Sequence, residues 1–199
     1  MVTWAELTDY SGSAEATVRD SVLPALGAVP QSLASRLGTC RVFLVRSLPD
    51  ATSRWTRSGE NLNIELATED VEPHDAALEL LLCFGQAIWD VASPEQRAAW
   101  LKVLEAEFDA QVGGEIDEEA FEEKRRLLAS RTLARSSRRL LRYAGAAFAG
   151  TLAEYVHALW HDVTVRIGPE YLPPEWLRTR LQFFERWFPP DAGRRLFPE

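Results

Sequence analysis

The sequence predicts an α+β fold that is predominantly helical. Two short segments favour strands: residues 41–46 form a β-branched and aromatic run, and residues 61–66 alternate polar and apolar side chains. From residue 72 the apolar positions recur at helical spacing, and they cover nearly the whole surface of the first helix of this kind. We therefore expect that helix, which carries Ala76 to Ile88, to be central in the fold.

Local signals place the other elements of the N-terminal third. Residues 14–37 predict a helix that breaks near residues 27–30 and is followed by a short second helix, because prolines interrupt the helical spacing. Residues 49–58 are typical of a turn and an irregular connection between the two strands.

Further helices are predicted in the second half of the chain. Ser93 and Pro94 are typical of a helix start. The charged residues 117–126 favour a solvated helix face. Helical spacing also predicts helices over about 148–166 and 175–187. The aromatic tail that follows is expected to pack back on the body, because so much apolar surface is costly to leave in water.

The chain of 199 residues, 46% of them hydrophobic, is long enough for a domain with a substantial core. We expect one domain over residues 1–199. It would contain a helical insert at about 94–142 and end in a helix and an aromatic tail at about 170–199.

Charge and hydropathy exclude several classes of function. A formal net charge of −8 argues against a nucleic-acid partner, because neutralising phosphates requires a basic face. The chain begins without a basic segment followed by an apolar run, and no stretch reaches the ~20 apolar residues of a membrane span. The expected location is therefore the cytoplasm, with no membrane partner.

Three local patterns carry a resemblance to a known family. Residues 29–33 read V-P-Q-S-L and lead into the first strand, Gly59 precedes the alternating strand, and residues 82–90 read L-C-F-G-Q-A-I-W-D. This layout resembles the zincin metallopeptidases of the glutamate-ligand type, in which the corresponding helix carries H-E-F-G-H-A-x-x-D. The resemblance spans about residues 29–166. It implies a zincin-like fold with a small mixed sheet packed on the central helix.

The resemblance extends to the framework and not to the chemistry. In the active family the two histidines of H-E-x-x-H bind zinc and the glutamate is the general base. Here the first histidine falls on Leu82, the glutamate on Cys83 and the second histidine on Gln86. The later glutamate ligand falls on Gly150. The resemblance therefore implies no catalytic residue, no zinc at these positions and no cofactor.

The first functional hypothesis is accordingly a non-catalytic zincin-like protein, a pseudo-peptidase that acts by binding a protein or peptide. The partner would be an extended segment that adds to the sheet along an edge strand formed by Leu62 to Leu66.

A second hypothesis uses Glu154, His157 and His161. The pattern E-x-x-H-x-x-x-H places all three side chains on one face of a helix, which suits a relocated metal site in a hydrolase or metal-binding protein. The interpretation favoured by the sequence is simpler: a solvated face opposite the apolar face of the same helix. A helical interaction scaffold unrelated to zincins is the third possibility.

Two further groups have competing interpretations. Cys83 could act as a nucleophile with His157 or His161 as its base, but its apolar surroundings favour a buried thiol, as they do for Cys40. The arginines of residues 135–142 could bind an acidic partner or RNA. Pairing with the acidic residues 117–123 is the favoured interpretation.

Overall fold

A computed structural model describes residues 4–9, 16–130, 137–161 and 166–197. Within these ranges the chain forms four strands and seven helices. In chain order they are β1 (Ala5–Asp9), α1 (Ala16–Ala28), α2 (Gln31–Leu37), β2 (Thr39–Val45), β3 (Ser53–Ser58), β4 (Asn61–Ala67), α3 (Pro73–Asp90), α4 (Pro94–Asp109), α5 (Glu118–Ala129), α6 (Arg138–His157) and α7 (Pro174–Trp187).

The four strands form a mixed sheet in the order β1-β2-β4-β3. β1, β2 and β4 are parallel, whereas β3 runs antiparallel to β4. The predicted α+β class and the small mixed sheet are therefore confirmed. The alternation in β4 also has its expected consequence, because Leu62, Ile64 and Leu66 are fully buried.

The prediction that Leu62 to Leu66 forms an edge strand is wrong. β4 lies between β2 and β3 and pairs with both, so its backbone is not available to a partner. The edge strands of the described sheet are β1 and β3, and β3 lies in the segment that the sequence assigned to an irregular connection. Its residues S-R-W-T-R-S contain one apolar side chain, so they carry almost no alternating signal, which is common for an exposed edge.

Helix α3 is central, as predicted, and packs against α6. A Cβ atom added at Gly85 would lie 2.5 Å from the Cα atom of Ala149, and one added at Gly145 would lie 2.7 Å from Nε1 of Trp89. These two contacts run in opposite directions along the chain, so the helices are antiparallel. The start of α3 therefore lies beside the end of α6.

The edge strand β3 lies against the same central helix. Trp55 donates a hydrogen bond of 2.9 Å from Nε1 to Oε1 of Gln86. Ser53 donates one of 2.7 Å from Oγ to Oε2 of Glu79. α3 thus has the sheet edge on one side and α6 on another.

The later helices differ from the predictions mainly in their bounds. α4 starts with a capping box, in which Ser93 and Gln96 each satisfy the other's backbone N–H group. α6 begins at Arg138, well before residue 148, with Ser137 as its N-cap, and it ends at His157. Residues 138–142, which the sequence assigned to the insert, therefore belong to α6.

The aromatic tail packs on the body up to Phe197, as expected. Phe188 and Leu196 are buried. The carboxylate of Asp191 accepts a hydrogen bond from the backbone of Gln31, and Arg194 donates to the carbonyl groups of Leu159 and Gly27.

Within the described ranges, no individual helix combines the length and the apolar content that crossing a membrane requires. Taken as a pair, α3 and α4 do have the required length and apolar content, but they are bent by 119° relative to each other.

The close approach of α3 and α6 at Gly85 predicts that a methyl group is harmful there, whereas one at the open position Gly27 is not. Gly85→Ala should destabilise the protein by about 1–3 kcal/mol, because the added methyl group meets backbone atoms that have no room to move. The matched control is Gly27→Ala in α1, where a Cβ meets nothing within 4 Å, so it should stabilise by about 0.5–1 kcal/mol. Urea unfolding of both variants measures the difference, and equal effects would contradict the close approach.

Candidate metal centre and its cavity

All three histidines of the chain meet at one point. His74 lies in the first turn of α3, His157 is the last residue of α6, and His161 follows one turn later. One ring nitrogen from each of them lies within 4.8 Å of those of the other two. The ring centroids are 5.0 Å apart for His74 and His157, 5.3 Å for His157 and His161, and 5.7 Å for His74 and His161.

These separations suit a shared metal ion. Tetrahedral zinc with Zn–N bonds of about 2.0–2.1 Å places two ligand nitrogens about 3.4 Å apart and the ring centroids about 5 Å apart. The three imidazoles therefore need movements of about 1 Å or less to coordinate one ion.

His157 is the buried member of the cluster, and its polar atoms are unpaired. The residue is 5% exposed, and neither Nδ1 nor Nε2 has a hydrogen-bond partner among the residues that the structure describes. Burying an unpaired polar group costs free energy, so such groups are rare in native proteins. A metal ion would provide a partner for one of the two nitrogens.

Glu154 lies one turn before His157 and supports the same interpretation. Its Oε2 is 3.7 Å from Nδ1 of His157, and its Oε1 is buried without a partner. A carboxylate behind a histidine is the usual second partner in metal sites, where it fixes the tautomer and orientation of the ring. Glu154 can therefore orient His157, or bind the ion itself.

The electrostatic surroundings favour the metal-binding form of His74. Burial lowers the pKa of His74, and the neighbouring His157 and His161 lower it further. The imidazole is therefore neutral at pH 7, which is the form that coordinates metals. Trp160 packs against the cluster, with its ring centroid 4.4 Å from that of His161.

A cavity of about 270 Å³ opens beside the histidines. His74, Glu154 and His157 line one part of it, and Asp117 and Gly150 line another. Apolar side chains form much of the remaining wall: Leu78, Leu82, Ile116, Ala153, Leu172 and Leu177.

The positions on which the resemblance places the zincin ligands are divided between this cavity and other parts of the fold. Leu82 and Gly150 both line the cavity. Gln86 does not, since its side chain is bonded to Trp55 of the edge strand. Cys83 is buried, and burial raises the pKa of its thiol to about 12, so it is a core residue and not a nucleophile.

Asp117 fills the place beside Gly150. A Cβ atom on Gly150 would lie 1.8 Å from Oδ2 of Asp117, so a glutamate there is incompatible with this arrangement. Asp117 is the N-cap of α5 and accepts a bond of 2.9 Å from the backbone of Ala120 on Oδ1, while Oδ2 is buried without a partner. Burial raises the pKa of Asp117 to about 6, against the effect of the Ala120 bond.

A buried ionic network fixes the wall that carries Asp117. Arg180 contacts Glu107 at 2.6 Å and Glu115 at 2.7 Å, and Lys124 contacts Glu115 at 3.0 Å. Burial alone would raise the pKa of Glu115, but Arg180 and Lys124 outweigh it and bring that pKa to about 2. The backbone of Glu115 in turn pairs with the segment at Tyr171.

The unpaired polar atoms of the described residues concentrate at this site. Buried side-chain atoms without a partner include Oδ2 of Asp117, Oε1 of Glu154 and both ring nitrogens of His157. All three residues line the same cavity.

Sequence reasoning named Glu154, His157 and His161 but not His74 or Asp117. For His74 the available signal was its rarity, as one of three histidines in 199 residues.

The arginines of residues 135–142 were predicted to pair with the acidic residues 117–123. Among the described residues, the ion pairs that these acidic side chains form lie within α5 itself. Glu122 and Glu123 pair with Arg125 and Arg126 of their own helix, both at 2.6 Å. Arg135 lies outside the described residues, whereas Arg138, Arg139 and Arg142 are exposed on α6.

The chain was compared with protein-family models and with curated proteins, and nothing matched in either comparison.

The raised pKa of Asp117 predicts a specific dependence of stability on pH. Asparagine can replace its N-cap bond without the charge, so Asp117→Asn isolates the ionisation. The folded-state pKa of about 6 lies above the reference value of 3.8, so the wild type loses stability relative to the variant as pH rises from 4 to 6. The expected change is about 2–3 kcal/mol. Urea unfolding at several pH values measures it, and a constant difference would contradict the assignment.

Proposed function

We propose that this chain is a transition-metal-binding protein, best suited to zinc, that uses His74, His157 and His161 as ligands. The observation that carries the proposal is the buried His157 ring, which has no hydrogen-bond partner in the described part of the chain and lies beside both other histidines of the sequence. Imidazole nitrogen is a preferred ligand of zinc, copper, iron and nickel. Zinc fits best because the ligand separations approach those of a tetrahedral site.

Two of the three ligands are preorganised by the helices that supply them. His74 and His157 lie at adjacent ends of α3 and α6, whose backbones touch at Gly85 and Ala149. A rigid scaffold lowers the conformational entropy that the ligands lose on binding. Glu154 is available to orient His157 or to complete the coordination sphere.

We further propose that the framework is zincin-like and that its metal site has moved along the central helix. Support comes from α3. Its Gln86 is bonded to the edge strand β3, and its Leu82 lines the cavity together with Gly150 of α6. His74 precedes Leu82 by eight positions, which is about 12 Å along a helix. The general-base position of the peptidase motif is Cys83, a core thiol, so we propose no peptidase activity.

Peptide binding by such a pseudo-peptidase is a second candidate, and the position of β3 favours it. One side of β3 pairs with β4, and its side chains Arg54, Thr56 and Ser58 are exposed. An extended segment can add to an edge of this kind. Peptides selected on the metal-free protein should then slow amide hydrogen exchange in β3, and unchanged exchange there would contradict this candidate.

The metal proposal predicts one equivalent of zinc per chain after incubation and dialysis, measured by mass spectrometry of the metal. His74→Ala and His161→Ala should each lower zinc affinity by at least tenfold. Both side chains are exposed, so neither substitution should prevent folding. Glu154→Gln should weaken zinc binding by about 10–100-fold if the carboxylate acts through His157.

Matched controls come from the positions of the zincin motif. Cys83→Ala and Gln86→Ala should retain a full equivalent of zinc, because neither residue lies in the histidine cluster. Zinc content that is unchanged in both histidine variants, or that is lost in Gln86→Ala, would overturn the proposed site.

A further inference from the structure

Among the described residues that line the cavity, buried polar atoms without a partner lie in two separate places, with apolar wall between them. At one place are His74, His157 and the unpaired Oε1 of Glu154; at the other is the unpaired Oδ2 of Asp117, next to Gly150. Leu78, Leu82 and Ala153 line the part of the helices between these levels.

The helix geometry sets the distance between the two places. His157 and Gly150 are seven residues apart on α6, so their levels differ by about 10 Å along the helix. In a bridging complex, the metal–oxygen bond accounts for about 2 Å of this separation and the hydrogen bond to Asp117 for about 3 Å. With the ion at the level of His157 and Oδ2 of Asp117 at the level of Gly150, the ligand's own polar ends are roughly 5–6 Å apart.

The charges decide which end of the ligand faces Asp117. When the Asp117 carboxylate is ionised, its unpaired Oδ2 accepts hydrogen bonds and donates none, so it needs a donor. The nearby Glu115 is already paired with Arg180 and Lys124, so it does not compete for that donor. Arg166, the cationic residue among those lining the cavity, is exposed and lies over the ring of Tyr171. A cationic donor therefore suits the Asp117 level.

We propose that the cavity binds a short linear ω-amino acid, with its carboxylate on the metal ion, its methylene chain against Leu78, Leu82 and Ala153, and its ammonium group on Asp117. This inference rests on the proposed metal site, since the ion is needed to attract the carboxylate. The volume of 270 Å³ is many times the roughly 10–15 Å³ that one water molecule requires, which leaves room for a chain of this size. Asp117 and Gly150 together then form the end of the site that selects ligand length.

The test uses the full chain loaded with Co²⁺, whose visible absorption changes when a ligand enters its coordination sphere. The titration series is glycine, 4-aminobutyrate, 6-aminohexanoate and 8-aminooctanoate, with butyrate and hexanoate as matched acids that lack the ammonium group. Affinity should peak at 4-aminobutyrate, whose extended length in this series is closest to the separation of roughly 5–6 Å. The best amino acid should bind at least tenfold more tightly than its matched acid, as expected for a buried charge-assisted hydrogen bond.

Asp117→Asn separates the two ends of the ligand. This variant should still take up one equivalent of cobalt and still bind the simple acids, but its preference for the amino acids should disappear. Failure of the unmodified protein to take up cobalt would overturn the metal site and this inference together. Cobalt uptake without a length optimum, or a preference that survives Asp117→Asn, would overturn this inference and leave the metal site standing.

Discussion

The direct contact of α3 and α6 at Gly85 is the constraint on which the rest of the structure depends. With no side chain at that position, the two helix backbones touch at Ala149 and run antiparallel. The first turn of α3 is thereby placed beside the last turn of α6, where His74 and His157 meet. A larger residue at Gly85 would separate the helices and with them the candidate metal ligands.

The buried network around Arg180 supplies the second constraint. Burying Arg180, Glu107, Glu115 and Lys124 carries a large desolvation cost, which their mutual contacts offset. Replacing such a network with apolar residues is often neutral or stabilising, so its value here is positional. It holds the segment at Glu115, and therefore Asp117, at a defined place in the cavity wall.

Strong periodicity made part of this fold predictable, and weak or long-range signals hid the rest. The helix α3 and the strand β4 follow from their apolar spacing, and α4 follows from its cap at Ser93. β3 was missed because Trp55 is its one apolar residue. His74 could not be joined to His157 from sequence, because only the antiparallel packing brings them together. Asp117 lies in a charge run, where nothing local shows that one carboxylate is buried. The zincin resemblance stays a prediction.

Anomalous diffraction at the zinc absorption edge, from crystals of the zinc-incubated protein, tests the central claim most directly. The account predicts one strong peak about 2.0–2.1 Å from a ring nitrogen of each of His74, His157 and His161. A peak between Leu82, Gln86 and Gly150, or no peak among the three histidines, would contradict it.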